Sequence, residues 1–398
     1  MPTRPCWVEI RARLLEENFR FLQTLAAPDA ELLAIVKADG YGHSLALCAP
    51  AAVRAGAQWL GVTSVEEGVA ARALCPEAQI LVICGVFPGQ GEAVVRHRLT
   101  TVAWEHWQLD ELETAARIAG AGSVPVHLEI DTGMSRQGVD ADPQVANGLV
   151  NLLVRFGPGS PLRLDGVMTH LFAADEPDSV VTQEQLVLLD AALAQIAVVG
   201  FRDEMKSKWL NVGNSAALLA GQAAAIAEIS NRYGMKALLR PGLALYGLAP
   251  RFAPEEPVSV TAARVHLQPV LTWKTRVVSV RNVPAGAVVG YNGTFVATEP
   301  MRLALLAVGY GDGLDRGLGN RFSLLVRGER APIVGRISMD QTVLDVTEIP
   351  DVAVGDEVVI LGKQSGETIP AFDHADTTET IPWEIFTRIA ARVTRIAV

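Results

Sequence analysis

The chain has 398 residues, which at about 100–200 residues per domain is enough for two or three domains. Hydrophobic residues make up 49% and charged residues 20%, with glycine and proline dispersed, a balance that excludes a disordered or collagen-like chain. A formal charge of −10 works against general binding to nucleic acid or anionic lipid, so neither a nucleic-acid nor a membrane partner is expected. The four cysteines, Cys6, Cys48, Cys75 and Cys84, show no C-x-x-C or Cys/His spacing. No zinc site, other metal site or disulfide framework is therefore expected. No apolar run approaches the roughly 18 residues of a membrane span. The opening Met1–Trp7 lacks the basic-then-apolar plan of a signal peptide, and the expectation is a protein of the reducing cytoplasm.

Taken in chain order, short apolar runs alternate with longer helical patterns up to about Pro250. Strands are predicted at Leu32–Val36, Trp59–Val62, Ile80–Ile83, Thr101–Ala103, Val126–Ile130, Leu164–Met168, Trp209–Val212 and Leu238–Leu239. Helices are predicted between them. They include Leu45–Ala55 with Ser44 as its cap, one opening at Thr63-Ser64 with Glu66 and Glu67 in its first turn, Glu105–Ala119 and Thr182–Val199. About eight strand–helix units fit a (β/α)8 barrel better than an open sheet. Ala253–Pro257 reads as a linker. Beyond it, β-rich runs at Thr275–Val280, Val288–Tyr291, Arg302–Val308, Phe322–Val326, Ile333–Ile337, Thr342–Val346 and Glu357–Leu361 are separated by Gly and Pro turns. The expected fold class is thus α/β. A barrel covers residues 1–252, a mainly β domain covers 253–398, and residues 1–11 pair with the second domain rather than the first.

Polar clusters follow several barrel strands, where this architecture carries its chemistry. Lys37 ends an apolar strand and leads into Asp39-Gly40-Tyr41-Gly42-His43. A desolvated lysine can form a Schiff base with a carbonyl cofactor, whereas a lone lysine more often extends its amine to solvent. Glu129-Ile130-Asp131 enters a Gly-flanked turn holding Arg136, and a ligand site and a plain solvated turn are evenly matched there. His170 follows the sixth strand; alone it is more often structural than catalytic. Asn214-Ser215-Ala216-Ala217 and Arg240-Pro241-Gly242-Leu243 lie late in the barrel, where backbone N–H groups can hold a phosphate. In the β-rich part, Tyr291 sits beside a Gly-rich turn, and the Gly309–Gly313 and Gly335–Asp340 segments are built alike.

In this order the clusters resemble alanine racemase, a fold-type III enzyme dependent on pyridoxal 5′-phosphate. The match extends from Lys37 through Arg136, His170, Ser215 and Arg240 to Tyr291, Met339 and Thr380-Ile381-Pro382-Trp383-Glu384. The resemblance implies that L- and D-alanine are interconverted through a pyridoxal-phosphate aldimine on Lys37, with Lys37 and Tyr291 as bases on opposite faces of Cα. It implies that His170 tunes Tyr291, that Arg240 contacts the pyridine nitrogen, and that Arg136 contacts the cofactor's phenolic oxygen near the substrate carboxylate. Tyr41, Ser215, Gly242 and Leu243 would bind the phosphate, with Trp383 beside it. Met339 and Asp340 would help hold the substrate. Tyr291 and Met339 would come from the partner in a head-to-tail homodimer, and the product would supply peptidoglycan.

Two positions depart from the family. Many members carry a lysine, often carbamylated, where this chain has Glu129, and Glu129 is expected to supply that negative charge directly. Members usually carry tyrosine where this chain has Trp383, which removes a hydroxyl and leaves a donor-only ring N–H. The alternatives are a racemase preferring serine or another amino acid, another fold-III enzyme such as a decarboxylase, aldolase or dehydratase, and a non-catalytic carrier of the cofactor. Arg240 and the second base argue against the decarboxylase and the carrier.

Overall fold

The computed structural model describes residues 4–140, 147–177 and 179–398; Met1–Thr3 of the expected N-terminal pairing segment lie outside them. The chain divides into two compact units. One comprises Arg13–Gly40 and Cys48–Gln268; the other comprises the residues up to Ala12, Tyr41–Leu47 and Pro269–Val398.

The first unit is a closed barrel of eight parallel strands. They are Glu31–Ile35, Trp59–Val62, Gln79–Val82, Thr100–Ala103, Val124–Asp131, Leu162–Met168, Trp209–Asn211 and Lys236–Leu239. The last pairs with the first, Leu238 opposite Glu31, which removes both sheet edges. These strands read as continuous apolar runs because both faces are covered, and all four residues of Trp59–Val62 are buried. Side chains rather than solvent fill the barrel. Trp59 reaches across to Trp209, with ring centroids 5.6 Å apart, and also lies 5.8 Å from His127. Gly166 makes room for that imidazole, since a Cβ there would come within 2.7 Å of it.

The barrel unit ends later than residue 252. Arg264, on the helix Val258–His266, donates to Glu256 and to the carbonyls of Ala249 and Pro250. Asn18 both donates to the Gln268 carbonyl and accepts from its N–H. These bonds carry the barrel's chain past the expected linker.

No uninterrupted apolar run of membrane length occurs, but one long helix is apolar on average, broken by Gln183, Glu184, Gln185, Asp190 and Gln195. Val180–Phe201 forms 22 helical residues of mean hydropathy 1.5, long and apolar enough by length and composition to cross a membrane. It is nonetheless the crossover helix between the sixth and seventh strands. Its Gln185 donates to Thr132 Oγ1 and to the His170 carbonyl, which fixes it to the barrel. Ser44 also differs from its expected role, since its φ of 77° is left-handed rather than the extended geometry of a side-chain cap.

The second unit is mainly β. Leu271–Val283 is its hub, pairing antiparallel with Cys6–Ile10, Met301–Leu306 and Glu357–Gln364. Thr394–Ala397 lies parallel to Cys6–Ile10. Two expected strands are shorter or displaced. Val288–Val289 stops at Gly290, whose φ of 75° turns the chain so that Tyr291 falls in a tight turn before Phe295–Val296 returns. Glu329–Pro332 is a strand, while Ile333–Ile337 keeps only a bridge from Ile333 to Leu344.

Burial lowers the pKa of His127 to about 4, and both its ring nitrogens lack a protein partner. A neutral buried imidazole binds fewer protons than it does unfolded. Its contribution to stability is therefore present above pH 6.5 and is lost as pH falls through 4. Thermal midpoints measured from pH 7 to 4 should fall, with up to about 3 kcal/mol carried by this one residue. In His127→Leu the slope should flatten; an unchanged slope would assign the acid loss elsewhere.

Candidate active site

The strand Glu31–Ile35 delivers Lys37 to the C-terminal rim of the barrel. The chain then takes an unusual course, with left-handed φ at Ala38 (51°), Asp39 (53°), Gly40 (63°) and Tyr41 (50°). Each non-glycine residue in that region costs roughly 1–2 kcal/mol. Local bonds hold the turn: Gly40 N–H donates to the Val36 carbonyl at 2.8 Å, and Ala38 N–H to Glu67 Oε1 at 2.6 Å. Lys37 is half-buried. Its pKa is pulled down by that burial and further by the Arg136 and Arg240 charges, while Cys84 and Glu67 oppose the shift. A depressed pKa raises the fraction of neutral, nucleophilic amine. Tyr41 is buried, which raises its hydroxyl pKa, and its carbonyl lies 2.9 Å from His43 Nδ1.

Two further strand ends meet at Arg240. Its guanidinium is buried, donating from Nη1 to the Asn211 carbonyl at 2.7 Å and to Asn211 Oδ1 at 2.5 Å. From Nη2 it donates to the Thr169 carbonyl at 2.9 Å and to His170 Nδ1 at 3.0 Å. Guanidinium has no acceptor, so His170 Nδ1 must accept and its proton sits on Nε2. Burial and the Arg240, Arg136 and Lys37 charges hold the His170 pKa down at about 3. The site therefore presents a neutral imidazole whose proton is on Nε2. Burial lowers Arg240 only to about 10, so it remains a cation at neutral pH.

Ser215 opens a short helix capped by Asn214, whose side chain accepts from Ala217 N–H. Ser215 Oγ accepts from Gly242 N–H at 2.9 Å and Ala244 N–H at 3.2 Å. Leu243, between them, is buried at the start of a tight helical turn. The Ser215 hydroxyl is thus held at the rim by two backbone N–H groups and keeps its own O–H to donate to an anion. Ala244 was not among the expected residues; only folding brings its N–H to Ser215.

The fifth strand ends in a turn that separates structural from chemical roles. Asp131 Oδ1 accepts from the N–H groups of Gly133, Met134 and Ser135, so this acid organises the turn. Gly138 brings the chain back against the strand, where a Cβ would come within 2.6 Å of Asp131 N. Glu129 is buried and accepts from Gln137 Nε2. Burial pushes its pKa up to about 7, against the pull of Gln137 and the Arg240 and Arg136 charges. Arg136 itself is exposed. Gln137 gave no signal in sequence, being one more polar residue of a turn.

Lys37, Glu129, Arg136, His170 and Arg240 thus lie within reach of one another's charges on the barrel unit. Tyr291, Met339, Asp340 and Trp383 belong to the other unit. Tyr291 and Met339 are 66% and 53% exposed, which leaves both side chains free to meet another surface. Asp340 is paired with Arg392 at 2.8 Å. Trp383 is half-buried on the helix Pro382–Arg388.

The chain matches family models for the alanine racemase N-terminal domain over residues 10–250 and the C-terminal domain over residues 270–397. An alanine racemase of Symbiobacterium thermophilum is 40% identical over 393 residues, covering 98% of this chain and 97% of that protein. The crystal structure of alanine racemase from D-cycloserine-producing Streptomyces lavendulae aligns with a TM-score of 0.87 at 33% identity, covering 100% of this chain and 98% of that one. That of Bartonella henselae, with covalently bound pyridoxal phosphate, aligns at 0.81 and 26% identity over 100% of both chains. Matched along both units, in sequence and in fold, the chain belongs to the alanine racemase family.

Proposed function

We propose that this chain interconverts L- and D-alanine with pyridoxal 5′-phosphate as cofactor. Lys37 and Tyr291 act as the two bases, in a cytoplasmic head-to-tail homodimer that supplies D-alanine for peptidoglycan. The observation that carries the reading is the buried Arg240, a permanent cation bonded to a neutral His170 behind a lysine of depressed pKa.

The residues present suit the cofactor. Lys37 offers an amine to its aldehyde, Ser215 with the Gly242 and Leu243 backbone suits its phosphate, Tyr41 and Trp383 are further candidates for binding it, and Arg240 suits its ring nitrogen. When bound, pyridoxal phosphate draws the electron pair left at Cα into its conjugated ring. Arg240 holds its protons at neutral pH, so it leaves the ring nitrogen unprotonated and weakens that withdrawal. Lys37 takes or returns the Cα proton on one face and Tyr291 on the other, and this inverts the centre. His170, donating from Nε2, orients Tyr291. Arg136, with Met339 and Asp340, holds the substrate carboxylate. The exposure of Tyr291 and Met339 supports their entering the site of a second copy. Glu129, when ionised, supplies the anion that orients Arg136.

A panel of L-amino acids incubated with the purified protein and pyridoxal 5′-phosphate, followed by chiral analysis, should show alanine turned over fastest. Faster turnover of lysine or arginine would overturn the substrate assignment. Lys37→Ala should lose the visible absorbance of the bound cofactor, and Tyr291→Phe should lower kcat at least about a hundredfold. If the sites are shared between subunits, mixing those two inactive variants should restore about a quarter of the parent activity, because half the dimers are mixed and each carries one intact site. No recovery after subunit exchange would argue against sharing.

Glu129 gives a pH prediction of opposite sign to that of His127. A carboxyl raised from 4.5 to about 7 binds more protons folded than unfolded, so its contribution falls as pH rises through that window. Glu129→Gln should stabilise the cofactor-free protein at pH 8 by up to about 3 kcal/mol while weakening cofactor or substrate binding. Equal midpoints and equal binding would remove this role.

A further inference from the structure

Glu67 lies at the third position of the helix Val65–Leu74, whose cap is Ser64. A glutamate there ordinarily folds back on the N–H of its own cap. Glu67 does otherwise. Its Oε2 accepts from both the N–H and the hydroxyl of Thr63 at 2.9 Å, and its Oε1 crosses to the first strand's loop and accepts from Ala38 N–H at 2.6 Å. The Ala38 N–H belongs to the peptide bond that leaves Lys37. That peptide begins the run of left-handed residues Ala38, Asp39, Gly40 and Tyr41, a course the chain keeps only where its surroundings dictate it.

We propose that Glu67 is a positioning residue for the reaction. Its carboxylate clamps the peptide after Lys37 to the second strand's loop and so fixes the direction in which the Lys37 side chain leaves the barrel. The inference rests on Lys37 being the reactive amine. A carboxylate is required because three donors converge on it from two sides. A glutamine has one oxygen and one NH2, so either way round it sets a donor against a donor. Glu67 also faces Lys37 with negative charge, which opposes the lowering of that amine's pKa. The other titratable groups acting on Lys37 are Cys84, whose thiol burial keeps protonated, Arg136 and Arg240.

The test compares the parent, Glu67→Gln, Glu67→Asp and Lys37→Ala, each loaded with pyridoxal 5′-phosphate. For Glu67→Gln, kcat per bound cofactor should fall about tenfold or more with KM within about threefold, as expected for a reacting group misplaced by part of an ångström. The rate at which cofactor is taken up, followed by visible absorbance against pH, should have a lower plateau and a limb displaced to lower pH. Glu67→Asp keeps the charge and both acceptors, and should retain the parent's limb and more of its kcat. A merely structural role would lower the folded fraction without moving the limb or kcat per bound cofactor, and that result would overturn the proposal. If the parent and Lys37→Ala take up cofactor alike, the reading of Lys37 falls and this proposal with it. A parent that loads through Lys37 beside an indifferent Glu67→Gln would sink the proposal alone.

Discussion

A guanidinium buried inside a barrel is costly unless every donor around it finds an acceptor. Arg240 satisfies the four N–H groups of its two terminal nitrogens with the Asn211 carbonyl and side chain, the Thr169 carbonyl and His170 Nδ1. Those acceptors come from the ends of the sixth and seventh strands, and Arg240 follows the eighth. One cation therefore pins three neighbouring strand ends. It also sets the protonation of His170 and adds to the depression of the Lys37 pKa. Removing it would leave those acceptors unpaired and let two titrating groups drift together.

The second constraint is backbone strain. Successive left-handed residues after Lys37 are retained because the turn is over-determined by bonds to Val36 and Glu67. Strain held in this way keeps a flexible lysine stem at a defined exit point, which restricts the amine to the rim. Burial then makes the amine more readily neutral. The same logic runs in reverse at Glu129, where burial favours the neutral acid while nearby cations favour the charged one.

The chain's acidic total of −10 says little about this local field. Lys37, Arg136 and Arg240 make the rim cationic, suited to a phosphate and a carboxylate. The four acids Glu67, Asp131, Glu129 and Asp340 divide by what they touch. Asp131 closes a turn, Glu67 ties two loops together, Asp340 pairs with Arg392, and Glu129 alone is buried beside the arginines.

By itself the sequence determined the alternation of strand and helix, the switch to β-rich runs, and the residues that stand at strand ends. Apolar periodicity and Gly-flanked polar clusters are local properties, so the placement of Lys37, His170, Ser215 and Arg240 just after barrel strands was legible without coordinates. Only the tertiary structure decided the rest. The unit boundary passed residue 252 because Asn18 and Arg264 bond across long separations in the chain. Ser44 lost its capping role to a left-handed turn, and Tyr291 left its strand at Gly290. Gln137, Asn211 and Ala244 carry no local signal, and Glu67 reads only as a first-turn acid of its helix; each matters through a partner brought near by barrel closure. Periodicity encodes which face is buried, whereas the pairing of a donor with one particular acceptor is settled only when distant strand ends converge.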